Sequence, residues 1–460
     1  MYAEHASASI VSPPARKTLT AWGRSSVSTS NYHTPASVAE LHNSFRAARR
    51  GTDSTQARGL IARGYARSYG DQCLNDAGDV MDTTQLRGIR HFDVATGLLE
   101  CEAGVSFAEV TALCLPAGWL PAVCPGTSFV SMGGAIANDV HGKNQRHAGT
   151  FSDHVVWFDV LLPSGAWMRV SRESQAEIFR ATVSGIGLTG VIVALQMQLR
   201  RVQSNAVTMT ESRIPNLQAF LETLPDASAR HQYAVGWIDA LTSGPHMGRG
   251  IMEVAEHAES GIAATRRREF TWPFDCPAWM LNRASVGAFN AAYYHRVSRN
   301  GRSRAIHAAQ FLYPLDAIHH WNRLYGKRGV YQFQCALPFA ESQKGLASIV
   351  KHVVASRSAS FLAVIKYMGK QGAGLLSFAR PGFSLALDFP RRPDTLALVH
   401  RLHDIVMEHG GAVYLAKDAC LTAPQFQAMY PAASAFRTII DRLDPARAMQ
   451  SDMARRLGLR

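Results

Sequence analysis

The residues best placed to do chemistry lie in two glycine-bearing turns about sixty positions apart. The first is Ala66-Arg67-Ser68-Tyr69-Gly70-Asp71. The second is Pro125-Gly126-Thr127 with Gly133-Gly134-Ala135-Ile136-Ala137-Asn138-Asp139-Val140-His141-Gly142-Lys143-Asn144. Each adjoins an apolar, strand-like run. Glycine serves where a backbone must approach a phosphate closely or take positive φ. Two such turns suit one long anionic ligand gripped by main-chain amides, and the pattern points to a flavin dinucleotide.

The second stretch is the more specific. It joins a Pro-Gly-Thr turn, a Gly-Gly pair, small residues and a His-Gly-Lys-Asn tail, more polarity than a plain buried loop needs. In the first turn the main-chain amides and the Ser68 hydroxyl suit a diphosphate, with a tight surface turn as the alternative. A third cluster, Gly185-Ile186-Gly187-Leu188-Thr189-Gly190, matches the string G-x-G-x-x-G but not its context. A dinucleotide fingerprint follows a strand and opens a helix. Here helix-like residues 177–183 come first and Val191 begins a strand, so a nicotinamide-binding fold is rejected. The cluster reads either as a helix-to-strand turn or as a segment passing close to a cofactor. His141, His147 and His154 match no common zinc spacing and have no cysteine suitably placed, so no metal is expected.

The elements that must position these turns read as mixed α and β. Ser37 to Arg50 is a helix with Ser37 and Glu40 at capping-box spacing, and residues 59–63 are a short strand. Residues 98–103 form a strand. Ser106 then caps a helix with Phe107, Val110, Leu113 and Cys114 on one face. Residues 154–162 and 166–170 pair around Pro163-Ser164-Gly165, and residues 191–199 make a long strand. From about Val202 the character changes. Residues 233–239, 250–254, 331–337, 361–367 and 383–389 alternate as strands, and 341–355 is a helix, which suggests an antiparallel sheet covered by helices. Residues 256–308 form a long aromatic and basic stretch, a lid or a two-helix insert. A helix over 394–409, with Leu396, Val399, Leu402 and Val406 on one stripe, stops at Gly410-Gly411. Residues 412–418 read as a strand ending in charge.

At 460 residues the chain is long enough for two domains. With 47% hydrophobic and 18% charged residues it buries a large core, and a formal charge of +13 favours acidic partners. Arginine clusters stand at 266–268, 391–392 and 455–456. Without an aromatic-interleaved RNA motif, a helix-turn-helix signal or a zinc finger, no nucleic acid is expected. Seven dispersed cysteines with no C-x-x-C argue for reduced thiols. The Ser/Ala/Thr-rich segment up to about Thr34 lacks a signal peptide's apolar core, and no run is long enough for a spanning helix. A cytoplasmic protein, or one peripheral at the inner membrane surface, is expected.

On these residues the chain resembles the vanillyl-alcohol-oxidase superfamily of flavoproteins with a PCMH-type FAD domain, and within it the decaprenylphosphoryl-β-D-ribose 2′-oxidases. The resemblance is carried by Leu19 to Arg24, the turn from Arg67 to Asp71, Asp139 to Asn144 and Thr189-Gly190. In the second half it continues through Trp237, Gln310-Phe311, Trp321-Asn322-Arg323, Ala416-Lys417-Asp418 and Ser451 to Leu457. It implies an α+β chain. A two-part FAD-binding domain of two α/β subdomains would occupy 1–200 and a substrate-binding cap 201–410, with 411–460 returning to the FAD domain.

The resemblance further implies cofactor contacts from Gly64, Arg67, Ser68, Tyr69, Gly70, Asp71, Pro125, Gly126, Thr127, Gly133, Gly134, Asn138, His141, Gly142, Asn144, Gly190, Val191, Tyr414 and Lys417. Substrate contacts would come from Tyr69, Trp237, Gln334, Lys366, Ser384 and Lys417. Lys417 is the main catalytic candidate, its ammonium stabilising negative charge that develops during transfer. His141 would orient the flavin or assist proton removal. Where many superfamily members link FAD through a histidine in the first turn, this chain has Arg67-Ser68-Tyr69, so non-covalent FAD is expected. The implied reaction oxidises the 2′-hydroxyl of a polyprenylphosphoryl ribose to a keto sugar. A separate NAD(P)H-dependent short-chain reductase would complete epimerisation to the arabinose donor used in cell-envelope or glycan synthesis, and a peripheral membrane contact is implied. Leu312-Tyr313, Ser384 and Ala386 depart from close relatives in the substrate half. The alternatives are an FAD-dependent oxidase of a soluble alditol, sugar or aldonolactone, and a non-catalytic flavin-binding scaffold.

Overall fold

The computed structural model describes residues 13–50, 58–263, 269–356, 358 and 360–460. Three main β-sheets carry the architecture. The first has four strands in the order Ala15–Thr20, Val27–His33, Asp79–Asp82, Leu60–Arg63; its last three strands run parallel. Two of them, Ala15–Thr20 and Val27–His33, lie in the N-terminal segment in which the sequence reading places no element. Their Ser- and Thr-rich composition conceals an edge hairpin with little apolar signal.

The second sheet is antiparallel, in the order Ile89–Asp93, Leu98–Glu102, Val191–Arg201, Val155–Leu161, Trp167–Ser171, with Trp119–Pro121 joined to the long strand. Ser106 caps the helix Phe107–Cys114 as expected, and Glu109 completes a capping box there. Leu113, however, is exposed, and Thr111 takes the buried position. The helix Ala176–Thr182 precedes the third glycine cluster and the strand Val191–Arg201 follows it, the reverse of a dinucleotide fingerprint.

The third sheet has eight antiparallel strands, in the order Arg302–His307, Ala206–Ile214, Gly250–His257, Tyr233–Ile238, Ala363–Met368, Gly382–Pro390, Val330–Leu337, Ala412–Val413. Phe333, Cys335, Leu337, Leu385, Leu387, Phe389 and Ile365 face the helices Phe339–Ser356 and Thr395–Glu408. There they pack with Ile349, Val350, Val353, Leu402, Ile405 and Val406 in one buried core. Leu396 is exposed rather than part of that stripe, and Thr395 is buried beside it. The strands Ala206–Ile214 and Arg302–His307 were not anticipated, because their polar, arginine-bearing composition hides the pairing.

Residues 256–308 are not a two-helix insert. Among the described residues they hold one helix, Arg283–His295, with the edge strand Arg302–His307 and the short strand Phe270–Thr271, which pairs in parallel with Ile318–His319. The cluster 266–268 lies outside the described residues. The expected strand 412–418 is also corrected: it stops at Val413, and Leu415–Lys417 is a 3-10 turn. The Tyr414 N–H donates to Gln334 O at 2.8 Å, and the Lys417 N–H closes back on Tyr414 O at 2.9 Å.

The last segment reaches back to the first turn. Met449 bridges Leu60, the Tyr69 N–H donates to Ala416 O, and the Arg456 guanidinium spans two buried carboxylates. It meets Asp71 at 2.6 and 2.9 Å and Asp418 at 3.0 Å. Removing one partner of a buried ion pair strands the others. Arg456→Ala is therefore expected to lower unfolding free energy by about 3–5 kcal/mol, read by denaturant titration of the purified protein; a loss under about 1 kcal/mol would contradict the clasp.

Candidate functional site

A cavity of about 480 Å³, within the range of small-molecule and cofactor sites, runs between the two glycine turns and the polar face of the eight-stranded sheet. The first turn leaves the strand Leu60–Arg63 and crosses the cavity wall. At its apex Ala66 has φ of +53°, a left-handed conformation rare for a residue with a Cβ. Glycine is thus not what bends this turn. Gly64 and Gly70 instead allow close approach: a Cβ at Gly64 would collide with Ser131 Oγ, and one at Gly70 with the Asp418 carbonyl. Gly126 is different, because a Cβ there meets nothing within 4 Å. Arg67 lies over Trp22 at 4.2 Å and Phe129 at 5.0 Å, and all three line the cavity.

The opposite wall is set by strand alternation. Gln334 pairs with Ala386, Lys366 with Ser384, Val364 with both Ala386 and Trp237, and Val235 with Glu253. Side chains two apart share a face, so Gln332 and Gln334, Ser384 and Ala386, Val364 and Lys366, and Val235 and Trp237 all reach one cavity. Asp388 continues that face behind the wall. It is fully buried and accepts from Gln332 Nε2.

Three lysines converge here. Lys143 donates to Phe311 O at 2.7 Å and pairs with Glu253 at 3.7 Å. Lys417 lies 4.2 Å from the centre of the Tyr69 ring. Burial pushes the Lys366 ammonium down to about 8, helped by repulsion from Lys143 and Lys417. Burial also lowers Lys417, with Asp388 pulling the other way, and it raises the Asp388 carboxyl. His141 packs beside the stacked rings of Phe378 and Tyr414, at 5.4 and 5.2 Å. Its burial, with Lys366 and Lys417 nearby, holds it well below the ordinary imidazole range, so the ring is neutral. Nε2 accepts from the Gln334 amide at 3.1 Å, which leaves the ring hydrogen on Nδ1, an atom with no partner in the protein.

Most sequence-derived candidates meet at this cavity. Gly64, Arg67, Ser68, Tyr69, Pro125, Gly126, Thr127, Gly133, Gly134, Asn138, His141, Gly142, Gly190, Tyr414 and Lys417 line it, as do Trp237, Gln334, Lys366 and Ser384. Four candidates do not. Gly70 and Asp71 are taken up by the contact with Asp418 and Arg456, Asn144 donates to Ala122 O at 2.8 Å, and Val191 is core against Leu161. His147 and His154 turn to the carbonyls of Ser228 and Ala148, away from any shared centre. Lys143, Gln332, Glu253 and Asp388 were missed as site residues. Period-two counting from Gln334 gives Gln332, and from Ser384 gives Asp388; Lys143 stands in the His-Gly-Lys-Asn tail of the second glycine stretch, and Glu253 has no such signal.

The donors and acceptors fit a flavin dinucleotide. Arg67 Nε, Asn138 Oδ1, His141 Nδ1 and Gln332 Oε1 all belong to cavity-lining residues, and all are buried without a protein partner. Native chains rarely strand such groups together unless a polar ligand satisfies them. With two ammonium groups at hand, Lys366 and Lys417, that ligand is anionic.

Sequence comparison agrees. A family model described as an FAD binding domain matches residues 30–171. Decaprenylphosphoryl-β-D-ribose oxidase of Mycolicibacterium smegmatis is 33% identical over 97% of this chain and 98% of its own length. An uncharacterized protein encoded in the mprA 5′ region of Streptomyces coelicolor is 31% identical over 77% of this chain and all of its own length. Bovine L-gulonolactone oxidase is 25% identical over 36% of each chain.

The lysine cluster makes a stability prediction for the FAD-free chain. Lys366 titrates near 10.5 when unfolded and near 8 when folded, so between those values the unfolded chain holds the extra proton. Its burial penalty is full below pH 8 and relieved as pH rises towards 10.5. Lys366→Met is expected to be more stable than wild type at pH 7 by about 1–3 kcal/mol, with the advantage shrinking across that window. Paired urea titrations check this, and a pH-independent difference would contradict it.

Proposed function

The chain belongs to the decaprenylphosphoryl-β-D-ribose oxidase family of FAD-dependent oxidoreductases, and from that premise we propose that it oxidises the 2′-hydroxyl of a polyprenylphosphoryl-β-D-ribose to the 2′-keto sugar. The observation that carries the reading is the meeting of Lys417, Lys366 and His141, drawn from three distant parts of the chain, around one cavity beside the glycine turns.

The reaction removes two electrons as a hydride from the carbinol carbon, which bound FAD would accept, and releases the proton of its oxygen to solvent. Arg67, Ser68, Gly126, Gly133, Gly134 and Asn138 would hold the cofactor. With no histidine in the first turn, the attachment is non-covalent. Lys417 offers a cation, in a site of restricted water, to the oxygen or ring edge where negative charge grows. His141 offers a hydrogen from Nδ1, which suits holding an acceptor atom in place better than taking a proton. Asp388, its carboxyl pushed up by burial, favours the charged form of Lys417 when ionised. Lys366, with Gln334 and Ser384 on the same sheet face, suits the sugar phosphate, and Trp237 forms an apolar wall. The keto product then passes to a separate NAD(P)H-dependent short-chain reductase, completing epimerisation to an arabinose donor.

Anaerobic single turnover tests the reading. A polyprenylphosphoryl ribose is expected to bleach the flavin and yield product oxidised at C2′, and Lys417→Ala is expected to slow bleaching about 10²–10³-fold with FAD content retained. Bleaching by a soluble alditol or aldonolactone instead would overturn the substrate, an unchanged Lys417→Ala rate would overturn the role given to Lys417, and no bleaching by any of these compounds would point to a scaffold.

A further inference from the structure

At the mouth of the cavity the surface departs from that of an ordinary soluble protein. Along residues 269–289, Phe270 and Phe274 are about half exposed, and Trp279, at 73%, is exposed almost throughout. The helix Arg283–His295 adds exposed Phe289. Phe270, Trp272 and Phe274 form a ladder of rings at 5.9 and 5.8 Å. Monomeric soluble proteins rarely gather large aromatics this way unless the patch has a partner.

The charges around these rings are one-sided. Arg283, Lys327 and Arg328 are exposed and, among the described residues, make no ion pair. Of the two acids of this stretch, Asp275 pairs with Arg24 and Arg323 at 2.6 and 3.3 Å, and Glu269 is hydrogen-bonded to His319 at 2.8 Å, so three free cations face one carboxylate that no cation compensates. Residues 323–328 lie directly against residue 276, with the Cys276 N–H donating to Arg323 O at 2.9 Å and a Cβ at Gly326 approaching Cys276 O to 2.6 Å. The cations and aromatics therefore form one rim.

The rim is continuous with the site. Phe270–Thr271 pairs with Ile318–His319, two residues of the cavity lining, and Phe289 stacks on Tyr293, another. We propose that this aromatic and basic rim docks on an anionic lipid bilayer and holds the cavity mouth against it. Aromatic side chains settle at the interface while free cations meet acidic headgroups. A second copy of the chain fits less well, because a two-fold contact would set the same unpaired cations against each other. The proposal deepens the lipid-linked substrate reading and rests on it for its purpose, but its evidence is the surface alone.

Flotation of the full-length, FAD-loaded protein with phosphatidylglycerol-containing vesicles, against pure phosphatidylcholine vesicles, tests it. Wild type is expected to bind the anionic vesicles preferentially and to release in high salt. Arg283→Gln with Lys327→Gln and Arg328→Gln is expected to weaken binding about a hundredfold, at about fivefold per cation. Phe274→Ser with Trp279→Ser is expected to lose about tenfold per ring. FAD absorbance and thermal melting confirm that each variant is folded, and detergent-dispersed prenylphosphoryl ribose should still bleach its flavin. Equal binding to both vesicle types, variants that bind like wild type, or a dimer that dissociates on substitution at Trp279 would overturn the proposal. Vesicle binding without oxidation of any prenylphosphoryl sugar would instead remove the substrate reading and leave the docking surface standing.

Discussion

The eight-stranded sheet must satisfy two incompatible surroundings at once. One face has to be apolar enough to bury two long helices, and the other has to present amides, a hydroxyl and an ammonium group to a water-excluding cavity. Strand geometry meets both demands because consecutive side chains alternate between faces. In Gln332-Phe333-Gln334-Cys335 and Ser384-Leu385-Ala386-Leu387-Asp388, the even positions serve the cavity and the odd ones the core. A slip of one residue would exchange the faces and bury the polar groups among the helices. Five of the seven pairings in that sheet run six residues or more and hold the register against that.

Lys417 depends on a different device. A strand running on through residue 418 would continue the alternation and set successive side chains on opposite faces. The chain instead tightens into a turn after Val413, with the Tyr414 phenol bonded to Asn138 O at 2.8 Å and Asp418 drawn to Arg456. The turn thus ties the second glycine stretch, the first glycine turn and the C-terminal tail around one ammonium group. Such a cluster of buried charges adds little net stability by itself. Its value lies in fixing where the cation sits before any ligand arrives, which is the form electrostatic assistance takes in an enzyme.

The glycine turns show where local chemistry is readable and where it misleads. Their composition marks the cofactor wall, and twelve candidate positions in and beside them do line the cavity. The reason for the glycines was read only in part. Gly64 and Gly70 make room for other segments of the protein, Ser131 and Asp418, rather than for a ligand, and the left-handed apex falls to Ala66. Asp71 looked like part of the same cradle but belongs to the arginine clasp. A sequence shows that a backbone must pass close to something; it does not show to what.

What the sequence determined alone are the features written in short-range pattern. These are the N-cap at Ser106, the helix-before-glycine order at 176–190 that rules out a nicotinamide fold, the alternating strands of the second half, and the motif residues that mark a flavoprotein. Tertiary structure decided the rest. The pairing of Lys143 with Glu253, the packing of His141 against Phe378 and Tyr414, and the approach of residues 366 and 417 to one cavity all join segments tens to hundreds of positions apart. So does the exposure of Trp279 beside unpaired cations. Propensity and periodicity act over a few residues along the chain. Burial, charge repulsion and partner geometry act through space, and so exist only once the distant segments have met.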